Sequence, residues 1–408
     1  MTNDVVVIGG GPAGMMAAGR AGKRGANVLL IEKTYRLGSK LLLTGGGRCN
    51  ITNNAEMPDM IAAFGKNGKF LYRALSVFPN NDLMEFFISR GLQMRTDPDG
   101  KIFPIDEKAD SVLAVLRAYH KENDVEILYN NAPRKIIFSS EEKDRIKGVS
   151  FADGIALNAD KIIIATGGVS YPKTGSTGDG YDFAKQCGHT IVPLRPGLSA
   201  LESDGPFVKD LQGLTLNDIV ISVIINGKKK REEKGNILFT HFGVSGPVVL
   251  NLSGDIIDSL INKSKVELSL NLMASFNLSE FTSYGSKTVS LYFKKTLPSS
   301  LSLYFDKLFS AISDKKCSVI NRKEREMIAA CFTDFRIPVI GYRPIEEAMI
   351  TRGGVCLKEI NPQTMESRLV KGLYFCGEVI DLAGITGGYN LQAAFSTGFL
   401  AGDSAANI

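Results

Sequence analysis

Gly9, Gly11 and Gly14 stand in the run GGGPAG, directly after the apolar segment DVVVI. That G-x-G-x-x-G spacing suits a pyrophosphate. The first glycine allows a tight turn, the second lets the backbone approach the anion, and the third lets a helix pack against a strand. Pro12 and Ala13 open that helix, whose free N–H groups and positive dipole end face the anion. Glu32 closes the apolar run NVLLIE at the distance where a carboxylate accepts hydrogen bonds from an adenosine ribose, with Lys33 beside it. A strand, three glycines, a helix, a second strand and a carboxylate in this order point to a bound dinucleotide. The fingerprint alone does not separate NAD from FAD.

A second cluster lies in GSKLLLTGGGRCNITN, residues 38 to 53. A nicotinamide-binding domain normally continues here with another regular strand–helix unit. This chain instead has a long loop carrying Ser39, Lys40, Thr44, Gly45, Gly46, Gly47, Arg48, Cys49 and Asn50. Exposed amides and small residues along such a loop suit the extended ribityl and flavin portion of FAD. Arg48 and Asn50 can hydrogen-bond flavin or substrate atoms. Cys49 is either a redox-active thiol beside the flavin or a small residue filling a tight space; no second cysteine lies near it to form a dithiol.

Three later stretches extend the same site. KIIIATGG (161–168) reads as a buried strand ending in Ala165, Thr166 and Gly167, with small residues near the cofactor. Residues 125 to 157 read as an antiparallel meander, entered near Ala132 and Pro133, the expected adenine contact. Asp179 is a candidate cap for the helix that begins in TGDGY. GLYFC (372–376) reads as a strand ended by Gly377 and Glu378, beside the expected ribityl-phosphate. Gly388, Tyr389, Asn390 and Leu391 open a C-terminal helix whose dipole can stabilise negative charge on a reduced flavin. Asn390 and Gln392 are candidates to bond the flavin pyrimidine ring.

The elements that must position these groups form an α/β dinucleotide-binding domain of Rossmann type, built from residues 1–193 and 341–408. Residues 194–340 lack nucleotide signals and read as an inserted antiparallel, β-barrel-like domain, with a helical part over residues 275 to 335. That insertion is expected to cover the flavin and shape a substrate cleft. His241, in THFG, is either a proton donor or acceptor for the reaction or a structural histidine. Tyr171, Tyr389 and Arg48 are candidates to orient substrate.

The 408 residues are 44% hydrophobic and 22% charged, with a net charge of +5. That balance fits a globular protein and demands neither nucleic acid nor a membrane. The basic run KKKREEK (228–234) follows the turn signal Asn226-Gly227 and brings its own counter-charges. No apolar run reaches the roughly 20 residues of a membrane span. Six cysteines without C-x-x-C pairing suggest a reducing compartment, hence a cytoplasmic protein with neither a disulfide framework nor a metal site.

The segments VVVIGGGPAGMMAA, GSKLLLTGGGRCNITN, ATGGVSYPKTGSTGDGY, LFTHFGVSGPVVLNLS and the long C-terminal run from Glu346 to Gly402 resemble the bacterial FAD-dependent oxidoreductases that include aminoacetone oxidases and reductases of dehydrated bile-acid intermediates. The resemblance spans nearly the whole chain. It implies FAD as cofactor and a flavin domain split by an insertion; the FAD is expected to be non-covalent, because no His or Cys sits in a known attachment context beyond Cys49. The resemblance does not fix the substrate, and three functions stay open. The leading expectation is NAD(P)H-dependent reduction of an activated C=C in a hydrophobic small molecule, without nucleic acid as partner. The alternatives are a peroxide-forming amine oxidase and a non-catalytic flavin-binding protein. No second G-x-G-x-x-G occurs, so NADH or NADPH would dock transiently at the flavin itself.

Overall fold

The computed structural model describes residues 3–407 apart from 143, 274–280 and 282. The chain forms two compact units, Met1–Gly197 with Ile345–Ile408, and Leu198–Pro344.

In the first unit, β1 (Asn3–Ile8) is an apolar run with no exposed residue and lies at the centre of a parallel sheet. Continuous Val/Ile runs are what such a position needs, because both faces are covered. On one side β1 pairs with β2 (Val28–Glu32), which pairs with β6 (Glu126–Tyr129). On the other it pairs with β9 (Ala156–Ile164), which pairs with β19 (Leu373–Phe375). All four pairings are parallel. The other half of β9 turns antiparallel to β8 (Ile146–Ser150), which pairs with β7 (Lys135–Phe138). The expected meander therefore comprises β7, β8 and β9. The segment at 126–129 instead joins the parallel sheet, where register with Leu29–Glu32 half-buries Ile127, Leu128 and Tyr129.

Helix α1 (Pro12–Lys23) follows β1 and packs against the C-terminal helix, which spans Tyr389–Ala405. Glycine sets their separation. A Cβ on Gly398 or Gly402 would lie 2.2 Å from the carbonyl oxygen of Ala13 or Ala17. The two backbones thus touch along α1, and the starts of both helices are fixed relative to the sheet.

The second unit is a seven-stranded sheet with antiparallel pairings. Its longest strands, β12 (Thr215–Ile225) and β13 (Lys228–Thr240), are joined at Asn226 and Gly227, both at left-handed φ. That geometry is the two-residue hairpin which Asn-Gly favours. In the basic run on β13, Arg231 pairs with Asp255 at 2.8 Å and with Glu233, and Lys234 pairs with Asp218 at 2.8 Å. Helices cover Val289–Thr296, Ser299–Leu308 and Arg322–Thr333; the last begins with an Asn321–Glu324 capping box. Of the segment expected to be helical, 275–280 and 282 lie outside the described residues. No helix among the described residues is long and apolar enough to cross a membrane.

Candidate functional site

A cavity of the first unit opens at the C-terminal ends of the parallel strands, where α/β sheets bind ligands. Its wall takes Gly9, Gly11, Pro12 and Ala13 from the β1–α1 turn, Glu32 and Lys33 from the end of β2, and Ala132 and Pro133 from beyond β6. It continues through Ala165, Thr166 and Gly167 after β9, Ser39, Lys40 and Thr44 from the loop, Gly377 and Glu378 after β19, and Asn390 and Leu391 on the C-terminal helix.

The three fingerprint glycines have different physical reasons. Gly9 has φ +106°, and a Cβ there would lie 2.6 Å from the Ala165 carbonyl oxygen. A Cβ on Gly14 would lie 1.9 Å from the Gly9 carbonyl oxygen, so Gly14 lets α1 seat on β1 rather than facing the cavity. A Cβ on Gly11 would meet nothing within 4 Å. Gly11 is therefore not demanded by packing; the space beside it belongs to the cavity. The first turn of α1 brings N–H groups without intrahelical partners to the same place.

Glu32 is buried at this end. Its Oε2 accepts the Gly10 N–H at 2.9 Å, and its Oε1 accepts the Thr34 N–H and hydroxyl, each at 2.8 Å. The carboxylate thus clamps the glycine turn and keeps lone pairs for a ligand. Lys33 donates to Asp179 at 2.8 Å. Asp179 is the first residue of its helix, not the cap; Gly178 occupies the cap, and the Asp179 carboxylate is taken by Lys33 and Thr177. Burial works against ionising Asp179, but these hydrogen bonds outweigh it and hold the carboxyl below its ordinary value.

Further along, Glu378 anchors a polar network. Lys40 Nζ donates to its Oε2 at 2.8 Å and Oε1 at 3.1 Å, and to Ser170 Oγ at 2.6 Å. Glu378 Oε1 also accepts the Thr351 N–H at 2.8 Å. Ser170, just after the Ala165–Gly168 turn, and Thr351, on the strand Ile350–Val355, gave no signal in the sequence, because the fold and not a local motif brings them together at Glu378. Phe64 and Leu382 add apolar wall and were missed for the same reason.

The glycine triplet behaves otherwise than expected. Only Thr44 of the stretch 44–50 lines the cavity. Gly45, Gly46 and Gly47 all have left-handed φ and coil the chain back on itself, so that the Cys49 N–H reaches the Thr44 carbonyl at 3.0 Å. Arg48 lies over the Phe103 ring at 4.9 Å, and Asn50 accepts the Ile102 N–H at 3.2 Å. Cys49 is fully buried, and burial pushes its thiol up to about 12, so it stays protonated and unreactive. Gln392 is likewise spent on Thr52, Phe78 and Ser396. Asn390 reaches the wall, but its side chain is bonded to Gly384 and Ile385. Gly388 and Tyr389 open the C-terminal helix without lining the cavity; burial, then the Asp59 charge, raises the Tyr389 hydroxyl. Tyr171 is in the first unit at φ +54°, with its N–H on the Glu346 carbonyl. His241 is exposed in the second unit, against Phe242.

The wall fits a dinucleotide. Thr166 Oγ1 is buried without a hydrogen-bond partner among the described residues and belongs to a cavity-lining residue. The open space at Gly11 and the start of α1 is a place that the protein alone leaves unfilled, whereas Thr166 Oγ1 lies against Gly180, where a Cβ would be 2.1 Å from it.

The description "HI0933-like protein Rossmann domain" matches residues 3–404. The chain is 30% identical over 401 residues to a ribosomal RNA dihydrouridine synthase of Escherichia coli, covering 97% of this chain and 96% of that one. It is 31% identical over 421 residues to a 3-dehydro-bile acid delta(4,6)-reductase of Clostridium scindens, covering 99% of each. Among solved structures, a 3-ketosteroid delta1-dehydrogenase from Sterolibacterium denitrificans matches with a TM-score of 0.57 at 14% identity, covering 99% of each chain; this likeness is one of fold.

Proposed function

The chain belongs to the HI0933-like family, and from that membership we propose that it is an FAD-dependent reductase of a carbon–carbon double bond conjugated to a carbonyl. The observation that carries the reading is the continuous cavity wall, from the Glu32 carboxylate through the start of α1 to the start of the C-terminal helix. The two full-length relatives are both named for saturating such a bond. Dihydrouridine is uridine whose base has its ring double bond, conjugated to a carbonyl, reduced. A delta(4,6)-reductase removes double bonds conjugated to the 3-oxo group.

FAD, when bound, supplies the hydride. The chain's own residues supply the rest. Gly9 to Ala13 would hold the pyrophosphate region, with Glu32 and Ala132–Pro133 toward the adenosine. Lys40 and Glu378 lie where the ribityl and flavin portion would run. Saturating the bond also needs a proton, and Lys40 Nζ with Ser170 Oγ places proton-bearing atoms in one hydrogen-bonded network with Glu378. Phe64, Leu382 and Ile350 make that part of the wall apolar and exclude water. One dinucleotide fingerprint serves the chain, so NADH or NADPH docks and leaves before the acceptor enters.

The test is an anaerobic titration with NADH and then NADPH while following the flavin's visible absorption, with enones added to the bleached protein. Bleaching followed by recovery of colour on adding an enone supports the reading. A flavin that neither nucleotide bleaches, or that oxygen alone restores, overturns it.

A further inference from the structure

We propose that His189, Ser367 and Glu359 form an acid-sensitive latch behind the cavity wall, whose protonation loosens β19 and lets bound FAD go. The inference rests on FAD occupying the cavity and holds whichever acceptor the flavin reduces.

His189 follows the helix Asp179–Gln186, and its side chain is fully buried. Three segments meet at its ring. Nε2 lies 2.8 Å from Ser367 Oγ, and Nδ1 lies 3.2 Å from Glu359 Oε2. The ring also packs edge-on against Phe375 of β19, with centroids 4.8 Å apart. Glu359 Oε2 accepts the Thr190 N–H at 2.8 Å, which ties its segment to the one carrying His189.

The hydrogen bonds fix the tautomer. Ser367 Oγ already accepts the Leu369 N–H at 3.0 Å and the Val370 N–H at 2.9 Å. A hydroxyl oxygen has two lone pairs and one proton, so Ser367 donates to His189 Nε2. The ring proton is then on Nδ1, facing the Glu359 carboxylate.

Protonation breaks this arrangement. An imidazolium carries N–H on both nitrogens. Glu359 suits the one at Nδ1, but the new Nε2–H meets an oxygen with no lone pair left. Ser367 must then release Leu369 or Val370, and the turn 367–370 opens. That turn braces the outer edge of β19. The Ser367 N–H bonds the Leu373 carbonyl at 2.7 Å, and the Phe375 N–H bonds the Met365 carbonyl at 3.1 Å. Just past β19 come Gly377 and Glu378, which line the cavity.

Glu359 is the charge that acts on the ring. Of the other titratable groups on these segments, burial pushes the Cys187 thiol up to about 12 and raises the Tyr374 hydroxyl. Glu366 takes the Gly372 N–H at 2.9 Å, and Arg368 Nε bonds the Ile360 carbonyl at 3.3 Å. Lys185 pairs with Asp182 at 3.4 Å, Lys371 with Asp144 at 3.3 Å, and Lys358 is exposed. Burial, outweighing the Glu359 carboxylate, holds the folded imidazole below its unfolded value of about 6.5. The latch is therefore intact above about pH 6.5 and is lost as pH falls toward the folded value. His120, also buried, bonds the Met15 carbonyl at 2.8 Å through Nε2, and no carboxylate acts on it.

The experiment follows FAD release from the flavin-loaded full chain by flavin fluorescence between pH 7.5 and 5. The wild type should weaken its hold on FAD below about pH 6.5, by up to ~tenfold per pH unit, since one proton is taken up. His189→Gln, whose amide oxygen can accept from Ser367 without titrating, should hold FAD across that range. Glu359→Gln removes the charge that favours the imidazolium and should move release to lower pH. His120→Gln should leave the pH dependence in place. A second measurement needs no variant. The 15N spectrum of the wild-type histidines should show His189 with its proton on Nδ1 at pH 7.5, and Nε2 gaining a proton over the range in which FAD leaves. FAD held equally from pH 7.5 to 5, release unchanged in His189→Gln, or a proton on Nε2 at pH 7.5 overturns the latch. A chain that binds no FAD at pH 7.5 contradicts the cofactor reading instead, and the nitrogen spectrum of that empty protein still decides the tautomer.

Discussion

Replacing Gly11 with valine separates cofactor binding from folding. Gly11 caps α1 with φ −78° and ψ −179°, extended backbone open to any L-residue. A Cβ there meets no protein atom within 4 Å. The cost to the empty protein is therefore small, at most about 1 kcal/mol for a β-branched residue at an N-cap. The valine carbons instead enter the space at the start of α1 where a pyrophosphate would sit. A bound phosphate must then give up close approach to the helix N–H groups. Charge-assisted hydrogen bonds contribute about 1.5–3 kcal/mol each, so losing two weakens binding by roughly 3–6 kcal/mol, at least ~100-fold. The assay is thermal unfolding of the cofactor-free protein, then titration with FAD followed by flavin fluorescence. The expected result is an almost unchanged Tm with FAD binding abolished at micromolar concentration. Gly14→Ala is the contrasting control: its Cβ falls 1.9 Å from a backbone oxygen, so that variant should unfold early whether FAD is present or not. A folded Gly11→Val protein carrying stoichiometric FAD would refute the placement of the pyrophosphate.

Glu32→Gln should lower the stability of the cofactor-free protein by about 1–3 kcal/mol, because an amide nitrogen would face a backbone or hydroxyl donor that the carboxylate now satisfies; chemical denaturation measures this. Lys40→Met should leave Glu378 without its cation and weaken FAD retention, with smaller loss in Lys40→Arg; flavin content after dialysis reads the difference. Native Cys49 should resist alkylation at pH 8, and Cys49→Ser should keep full flavin content. Because burial raises the folded-state value of this thiol above that of the unfolded chain, its stabilising contribution is intact below about pH 9. It is lost as pH rises toward about 12, at up to ~1.4 kcal/mol per pH unit, and urea midpoints between pH 8 and 10 should fall accordingly.

The residues by themselves determined that this is a Rossmann-type chain, and nearly half of the cavity wall. Gly9, Gly11, Glu32, Thr166 and Glu378 were legible because a tight turn, a helix start and the end of a buried strand leave marks in local sequence. Those marks depend on steric and hydrogen-bonding needs within a few residues. The fate of GGGRCN was not local. Three glycines permit either a cradle or a coil, and Phe103, Ile102 and Thr44 decide for the coil by holding Arg48, Asn50 and Cys49. Gln392 similarly looked available until the fold placed Thr52, Phe78 and Ser396 around it. Net charge was equally uninformative about the surface. A total of +5 does not tell which cations are neutralised; that follows from pairings such as Arg20 with Asp403, 383 residues apart. Local geometry can be written in a short motif, whereas the competition among partners for one side chain is settled by packing across the whole chain.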